Sequence, residues 1–445
     1  MRTIYRFVDF INRYSKKYLL LKLLLFIFLY RILYFFLYPH KILYNSDSVT
    51  YFIPVDLFHG KIDLYRTLVY PYLIKFFKYV TGDYFLSGII YFQQILSFLS
   101  IIPFYYVLKQ NVQNRTLIVL SVLFYGCFPL IINQNININP ESLCIVGSVV
   151  FMYFLSVYIH KPTRIYAFVV GILPLFLIML KPVYLIALLI CFLFFFAKLF
   201  VRSEQKTTLW GVLGILVSIA GVWGYSEMNR KNNGEFTLSK ISMVNIFLNV
   251  IISDAYKSGG DEEFINIIDE TKSGGPYVPM FTINKEWSDM YKASYARFPQ
   301  YLAPTGDMNY NMSMNAPVFY PASRIQSFIH QSQFSKTYIF YMAKQTVKLF
   351  FSFQLLSLIL ILELILIIWN LIKHRKIAWF LSFCVLFVTG QCFTIALGSI
   401  DGVTGWVRLF LPSFPFIILL FAIFLQQIVL SIDKESFNKM LNYLR

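Results

Sequence analysis

The chain has 445 residues, of which 58% are hydrophobic, 19% aromatic and only 14% charged, with a mean hydropathy of +0.62. A soluble domain is about one quarter charged, so this composition excludes a soluble globule and predicts an all-α polytopic membrane protein. The net charge of +17 raises the question of nucleic acid, but the placement of the basic residues answers it as membrane topology, and no nucleic-acid partner is expected. The five cysteines (Cys127, Cys144, Cys191, Cys384, Cys392) all fall in apolar stretches and spell neither a disulfide framework nor a metal motif.

About 20 apolar residues cross a bilayer as a helix, and about ten stretches qualify. They lie near 18–38, 84–108, 116–133, 141–159, 165–180, 183–200, 208–226, 351–370, 377–397 and 409–431. The first is too long for a cleavable signal peptide and no small-residue cleavage site follows it. Lysines and arginines gather in alternate connections: Arg2 to Lys17, Lys109 and Arg115, Lys161 and Arg164, Lys198 to Lys206, Lys373 to Lys376, and Lys434 to Arg445. The positive-inside bias makes that side cytoplasmic, with both termini inside.

Two sizeable loops then face outward, at 39–83 and 227–350. The expected organisation is an N-terminal membrane module (1–226) with a catalytic first loop, the long loop with short interfacial helices such as 239–256 and 334–350, and C-terminal spans (351–445). A long connection that is rich in aromatics is more consistent with function than with disorder.

No glycine-rich phosphate loop, His-Glu-x-x-His or Gly-x-Ser-x-Gly occurs. Ionisable groups beside apolar helices are therefore the functional candidates. The first loop reads Asn45-Ser46-Asp47-Ser48-Val49-Thr50-Tyr51, then Phe58-His59-Gly60, then Arg66-Thr67-Leu68-Val69-Tyr70-Pro71. Asn139-Pro140-Glu141 opens the fourth span, Leu180-Lys181-Pro182 separates spans five and six, and Arg408-Leu409-Phe410-Leu411-Pro412 opens the last.

This order of acid, Tyr, Gly, Arg and Tyr-Pro resembles the first external loop of the GT-C membrane glycosyltransferases, in particular the protein mannosyltransferase and aminoarabinose transferase group. Gly234 to Asn245 after the seventh span, and Val407 to Pro415, are similar to the family's later landmarks. Ser46 and Ser48 flank Asp47 where many relatives carry two adjacent acids. Lys181 stands for the usual Arg, and Phe410 for the Tyr after the last Arg.

The resemblance implies a polyprenyl-phosphate-linked sugar donor drawn from the membrane lipid. The acceptor would be an envelope glycan, lipid or protein, and transfer would occur on the outer side, with inversion. No cofactor is implied with certainty, a divalent metal remains open, and the sequence offers no metal ligand set. Asp47 is the candidate general base, since a carboxylate must take the acceptor's proton; the bland alternative is a solvated loop acid. Arg66, Arg408 and Lys181 are candidate phosphate-binding cations, against simple snorkelling to headgroups.

Glu141 is a candidate substrate contact that pairs with one of these cations or positions the acceptor, against a plain acid at a helix start where the dipole favours it, the reading slightly favoured. Tyr51 and Tyr70 are candidate substrate contacts, against a plain aromatic belt, the reading favoured for both. Glu363 falls mid-span, where a structural hydrogen bond competes with a proton path. Asn311-Met312-Ser313 is a chance-prone glycosylation pattern. Two other function classes remain: a polysaccharide polymerase or ligase of the O-antigen type, and a lipid-linked-sugar flippase or transporter.

Overall fold

The structure is a computed structural model that describes residues 18–37, 51–52, 66–201, 204–233, 236–239, 246–247, 249–273, 322–352, 354–374, 378–398 and 409–432. It is all-helical. In chain order the helices are α1 (Leu19–Leu37), α2 (Val69–Thr81), α3 (Phe85–Leu99), α4 (Ile101–Asn111), α5 (Arg115–Cys127), α6 (Pro129–Gln134), α7 (Glu141–His160) and α8 (Arg164–Leu180). They continue as α9 (Leu185–Leu199), α10 (Gln205–Asn233), α11 (Glu262–Ser273), α12 (Ala322–Gln333), α13 (Lys336–Ser352), α14 (Gln354–His374), α15 (Trp379–Gly398) and α16 (Phe414–Ile432). Among the described residues eight helical stretches are long and apolar enough to cross a membrane, or nine if the bent pair α13 and α14 is taken as one span. α8, at 17 residues, is a shorter apolar helix. The ten expected spans fall largely on helix, although 84–108, 116–133 and 351–370 are each divided between two helices.

The boundaries differ from the expected ones where turn chemistry intervenes. The predicted loop 39–83 is partly helix, because Val69–Thr81 forms α2 and ends at Gly82, whose φ of 55° suits a residue without Cβ. The chain then reverses, and α2 packs back on α3. Span 116–133 is interrupted at Phe128, where Pro129 starts a new helix; a proline limits the residue before it to extended backbone. α10 carries on to Asn233, further into the predicted second loop than expected, and α13 covers the interfacial helix predicted at 334–350.

α7 is the hub. Thirteen of its 20 residues are buried, and α3, α4, α8, α15, α16 and the 3-10 turn Leu411–Ser413 all pack on it. Its neighbour α8 has Pro174 at mid-helix, which cannot donate to the Val170 carbonyl. In a bilayer such a freed carbonyl must be met by other helices. Cys191 Sγ approaches Val170 O at 3.9 Å, and Ser218 Oγ donates to Gly171 O at 2.8 Å.

α8 and α10 touch through glycines: a Cβ on Gly171 would lie 2.3 Å from Gly211 O, and one on Gly214 2.5 Å from Phe168 O. Small residues allow this backbone approach. Gly171→Ala should therefore force the helices apart and cost about 1–3 kcal/mol, read as a lowered unfolding temperature of the purified protein in detergent. Unchanged thermal stability would show that the pair has slack.

Lys198 was counted above as a loop cation. It is 1% exposed: its Nζ lies 4.9, 5.5 and 5.6 Å from the ring centres of Tyr158, Phe194 and Trp379 and pairs with Glu204. The contact ties α7, α9 and α15 at one end of the bundle. A cation against three rings is stabilised by their quadrupoles, which a count of loop charges does not register.

Candidate active site

The first half of the site forms where α7 begins and α8 ends. Glu141 occupies the first turn of α7, where the helix dipole favours a carboxylate. Lys181 follows α8 in extended backbone, φ −158° and ψ 124°, as a residue before proline must. That conformation swings it off the helix axis, and its Nζ donates to Glu141 Oε1 at 2.8 Å. The side chains are 14% and 2% exposed respectively, so this is a largely buried ion pair rather than a headgroup contact. Beside it Tyr184 donates to Cys144 O at 2.8 Å and shares a 2.8 Å hydrogen bond with Ser148, locking the turn after Lys181 to α7.

The second half gathers three first-loop residues. Arg66 Nη1 donates to Tyr51 Oη at 3.2 Å, and its guanidinium carbon lies 4.4 Å from the Tyr51 ring centre. Tyr51 meets Tyr70 edge-on at 5.1 Å. Tyr70, at the start of α2 and fully buried, donates to Gln93 Oε1 at 3.0 Å. Gln93 Nε2 in turn donates to the carbonyls of Asn135 (2.9 Å) and Asn137 (3.0 Å), and Ser142 Oγ donates to Asn135 Oδ1.

The halves meet at Tyr70, whose hydroxyl lies within electrostatic reach of both Tyr51 and Glu141. Tyr225 Oη, on α10, donates to Arg66 O at 3.1 Å and fastens the loop to that helix.

Five of the seven residues singled out from the sequence (Tyr51, Arg66, Tyr70, Glu141 and Lys181) thus share one region. The favoured belt reading of Tyr51 and Tyr70 is corrected: at 4% and 0% exposure they pack inside the protein, because α2 folds back on α3 and the Tyr70 hydroxyl finds a protein partner. Asp47 and Arg408 lie outside the described residues, as do His40, His59 and Asn311. Glu363 is buried on α14 with Gln427 Nε2 at 3.5 Å, on helices that carry none of the five.

Gln93, Asn135, Ser142, Tyr184 and Tyr225 were missed. A signal existed for part of this set: the alternating run Asn133-Gln134-Asn135-Ile136-Asn137-Ile138-Asn139 is too polar for a membrane-facing connection. Among the described residues no three His, Cys, Asp or Glu side chains gather into a metal set, and Glu141 is engaged by Lys181, so no step is derived through a metal.

The arrangement offers a guanidinium held in place by an aromatic ring, a buried carboxylate–ammonium pair, and a fixed network of tyrosine and amide groups between them. No curated protein and no solved structure matches the chain. A family model described as dolichyl-phosphate-mannose-protein mannosyltransferase matches residues 65–225, a segment that holds Arg66, Tyr70, Glu141 and Lys181 and whose two ends are joined by the Tyr225–Arg66 hydrogen bond. Over that segment the chain is similar to a GT-C type family of membrane glycosyltransferases.

Proposed function

We propose that the protein transfers a sugar from a polyprenyl-phosphate-linked donor to a cell-envelope acceptor on the extracytoplasmic side, with inversion. The observation that carries this reading is the convergence of Arg66, Tyr51 and Tyr70 with Glu141 and Lys181, which are far apart in the chain. The reaction breaks the bond between the anomeric carbon and the phosphate oxygen and forms one to the acceptor oxygen or nitrogen. The bonding pair leaves with the lipid phosphate, and the acceptor's proton goes to a base.

Asp47 is that base in our reading. It stands four residues before Tyr51, a tether of at most about 14 Å, and a positioned base contributes about 10²–10⁴-fold. Arg66 and Arg408 hold the departing phosphate, whose growing negative charge needs fixed cations. Lys181 is a weaker candidate for direct phosphate contact, because Glu141 already takes up much of its charge; we assign it to holding Glu141 in position. Tyr51 and Tyr70, beside Arg66, are the substrate contacts in this reading.

Release of polyprenyl phosphate from a lipid-linked sugar by the purified protein tests the reaction and separates an enzyme from a transporter. Arg66→Ala and Arg408→Ala should each weaken donor use strongly, since removing one charge of a partly buried pair costs about 2–5 kcal/mol. The double variant should cost less than the sum, because both share one ligand, and lysine should rescue only in part. Donor titrations with both alanine variants within about twofold of wild type, under about 0.5 kcal/mol, would leave the arginines as interfacial anchors.

The assigned face rests on the Lys and Arg bias of the short loops. In a cysteine-free background, an impermeant thiol reagent applied outside should label a cysteine at Ser273 and spare one at Lys373. The reverse pattern would place the reaction on the opposite side.

A further inference from the structure

The first helix carries a second cation that the candidate site does not use. Only Leu23, Ile27 and Arg31, one per turn, are buried on α1, and Arg31 is 6% exposed. Its Nε donates to Gly126 O at 2.9 Å and its Nη1 to Ser97 Oγ at 3.2 Å. Nη2 is buried with no hydrogen-bond partner, and among the described residues no carboxylate faces the guanidinium. The titratable groups within electrostatic reach are Tyr125 and Cys127, both neutral at physiological pH in their ordinary ranges.

A cation buried without a counter-ion is among the costliest groups a membrane helix can carry. Holding one carbonyl at the end of α5 does not explain it, since serine, asparagine or a neutral donor would do that without charge. Arginine is preferred where a planar fork must meet the oxygens of a phosphate. Lipid comes close to it, because Cys127 beside it is only half-buried and α1 is mostly uncovered by protein, so a small rotation of the guanidinium would bring the now closed-off Nη2 to a lipid phosphate. It is also connected to the candidate site, because Ser97 lies one turn along α3 from Gln93, about 6 Å in rise, and Gln93 holds Tyr70.

We infer that Arg31, with Ser97, forms a subsite for the phosphate of a lipid that lies against α1, α3 and α5. The phosphate oxygens would accept from Nη2 and from the Ser97 hydroxyl, supplying the missing countercharge. Two lipids carry this chemistry, polyprenyl phosphate and bulk anionic phospholipid. The inference needs only the membrane-spanning reading and does not depend on the assignment of Asp47, Arg66 or Arg408.

The test is native mass spectrometry of the full-length protein titrated with undecaprenyl phosphate, with phosphatidylglycerol and with phosphate-free diacylglycerol. Wild type should retain one phosphate lipid in preference to diacylglycerol. Arg31→Gln, which keeps a donor for Gly126 O, should bind that lipid at least tenfold more weakly, and Arg31→Lys should fall between.

Competition names the source: displacement of phosphatidylglycerol by an equal amount of undecaprenyl phosphate assigns the subsite to the reaction's lipid, and the converse assigns it to bulk lipid. Equal retention of phosphate lipid by wild type and Arg31→Gln overturns the inference. Should Arg31→Gln fail to accumulate, wild type decides alone, and a protein no better stabilised against heat by either phosphate lipid than by diacylglycerol also overturns it. Because donor turnover is not the readout, failure here leaves the proposed reaction standing.

Discussion

Asp47→Asn should insert and accumulate like wild type yet turn over at least about 10²-fold more slowly. The amide is nearly isosteric with the carboxylate but cannot accept the acceptor's proton, so the loss should fall on turnover and not on donor affinity. Asp47 occurs in the first-loop stretch that ends in Arg66, Tyr70 and Pro71. The structure places the near end of that stretch, through Tyr51, against Arg66 and Tyr70. Single-turnover measurements with saturating donor would isolate the chemical step. An Asn variant with wild-type turnover would remove Asp47 as base and turn attention to Asp56 and Glu141.

Lys181→Ala should act mainly through stability. It removes the ammonium 2.8 Å from a carboxylate that is 2% exposed, and breaking a buried pair on one side costs about 3–5 kcal/mol. The expected result is a markedly lower unfolding temperature together with lost activity. Combining it with Glu141→Gln should recover a good part of the stability, because the stranded charge is gone; contacts that couple the two residues do not add.

Activity separates the roles further. If the pair only braces α7 against α8, the double variant should regain activity along with stability. If Glu141 meets the acceptor, stability returns without activity. A Lys181→Ala protein as stable as wild type but inactive would instead make Lys181 a direct phosphate ligand, contrary to the assignment above.

Much of the architecture was legible in the sequence because a bilayer simplifies the problem. Backbone polar groups in lipid must be satisfied internally, so apolar stretches of about 20 residues can only be helices. The stretch at 141–159 became α7 (Glu141–His160) and that at 377–397 became α15 (Trp379–Gly398) for that reason. The membrane class and the GT-C resemblance were readable too, the latter because acid, Tyr, Gly, Arg and Tyr-Pro occur in order within one short loop.

What the sequence did not determine was depth and partnership, which depend on residues distant in the chain. Tyr70 reads as an interfacial belt residue until α2 folds back on α3 and carries its hydroxyl to Gln93. Lys198 reads as a loop charge until three rings from separate helices close over it, and Arg31 reads as one residue of an ordinary span. Composition and periodicity alone determined that this chain is a bundle of membrane helices with a polar, aromatic first loop. Tertiary structure alone decided that Glu141 meets Lys181 across 40 residues of chain and that Arg66 is fastened to Tyr225 across 159. Hydropathy acts residue by residue along one helix, whereas the energy of a buried charge is set by whatever the fold brings within a few ångströms of it.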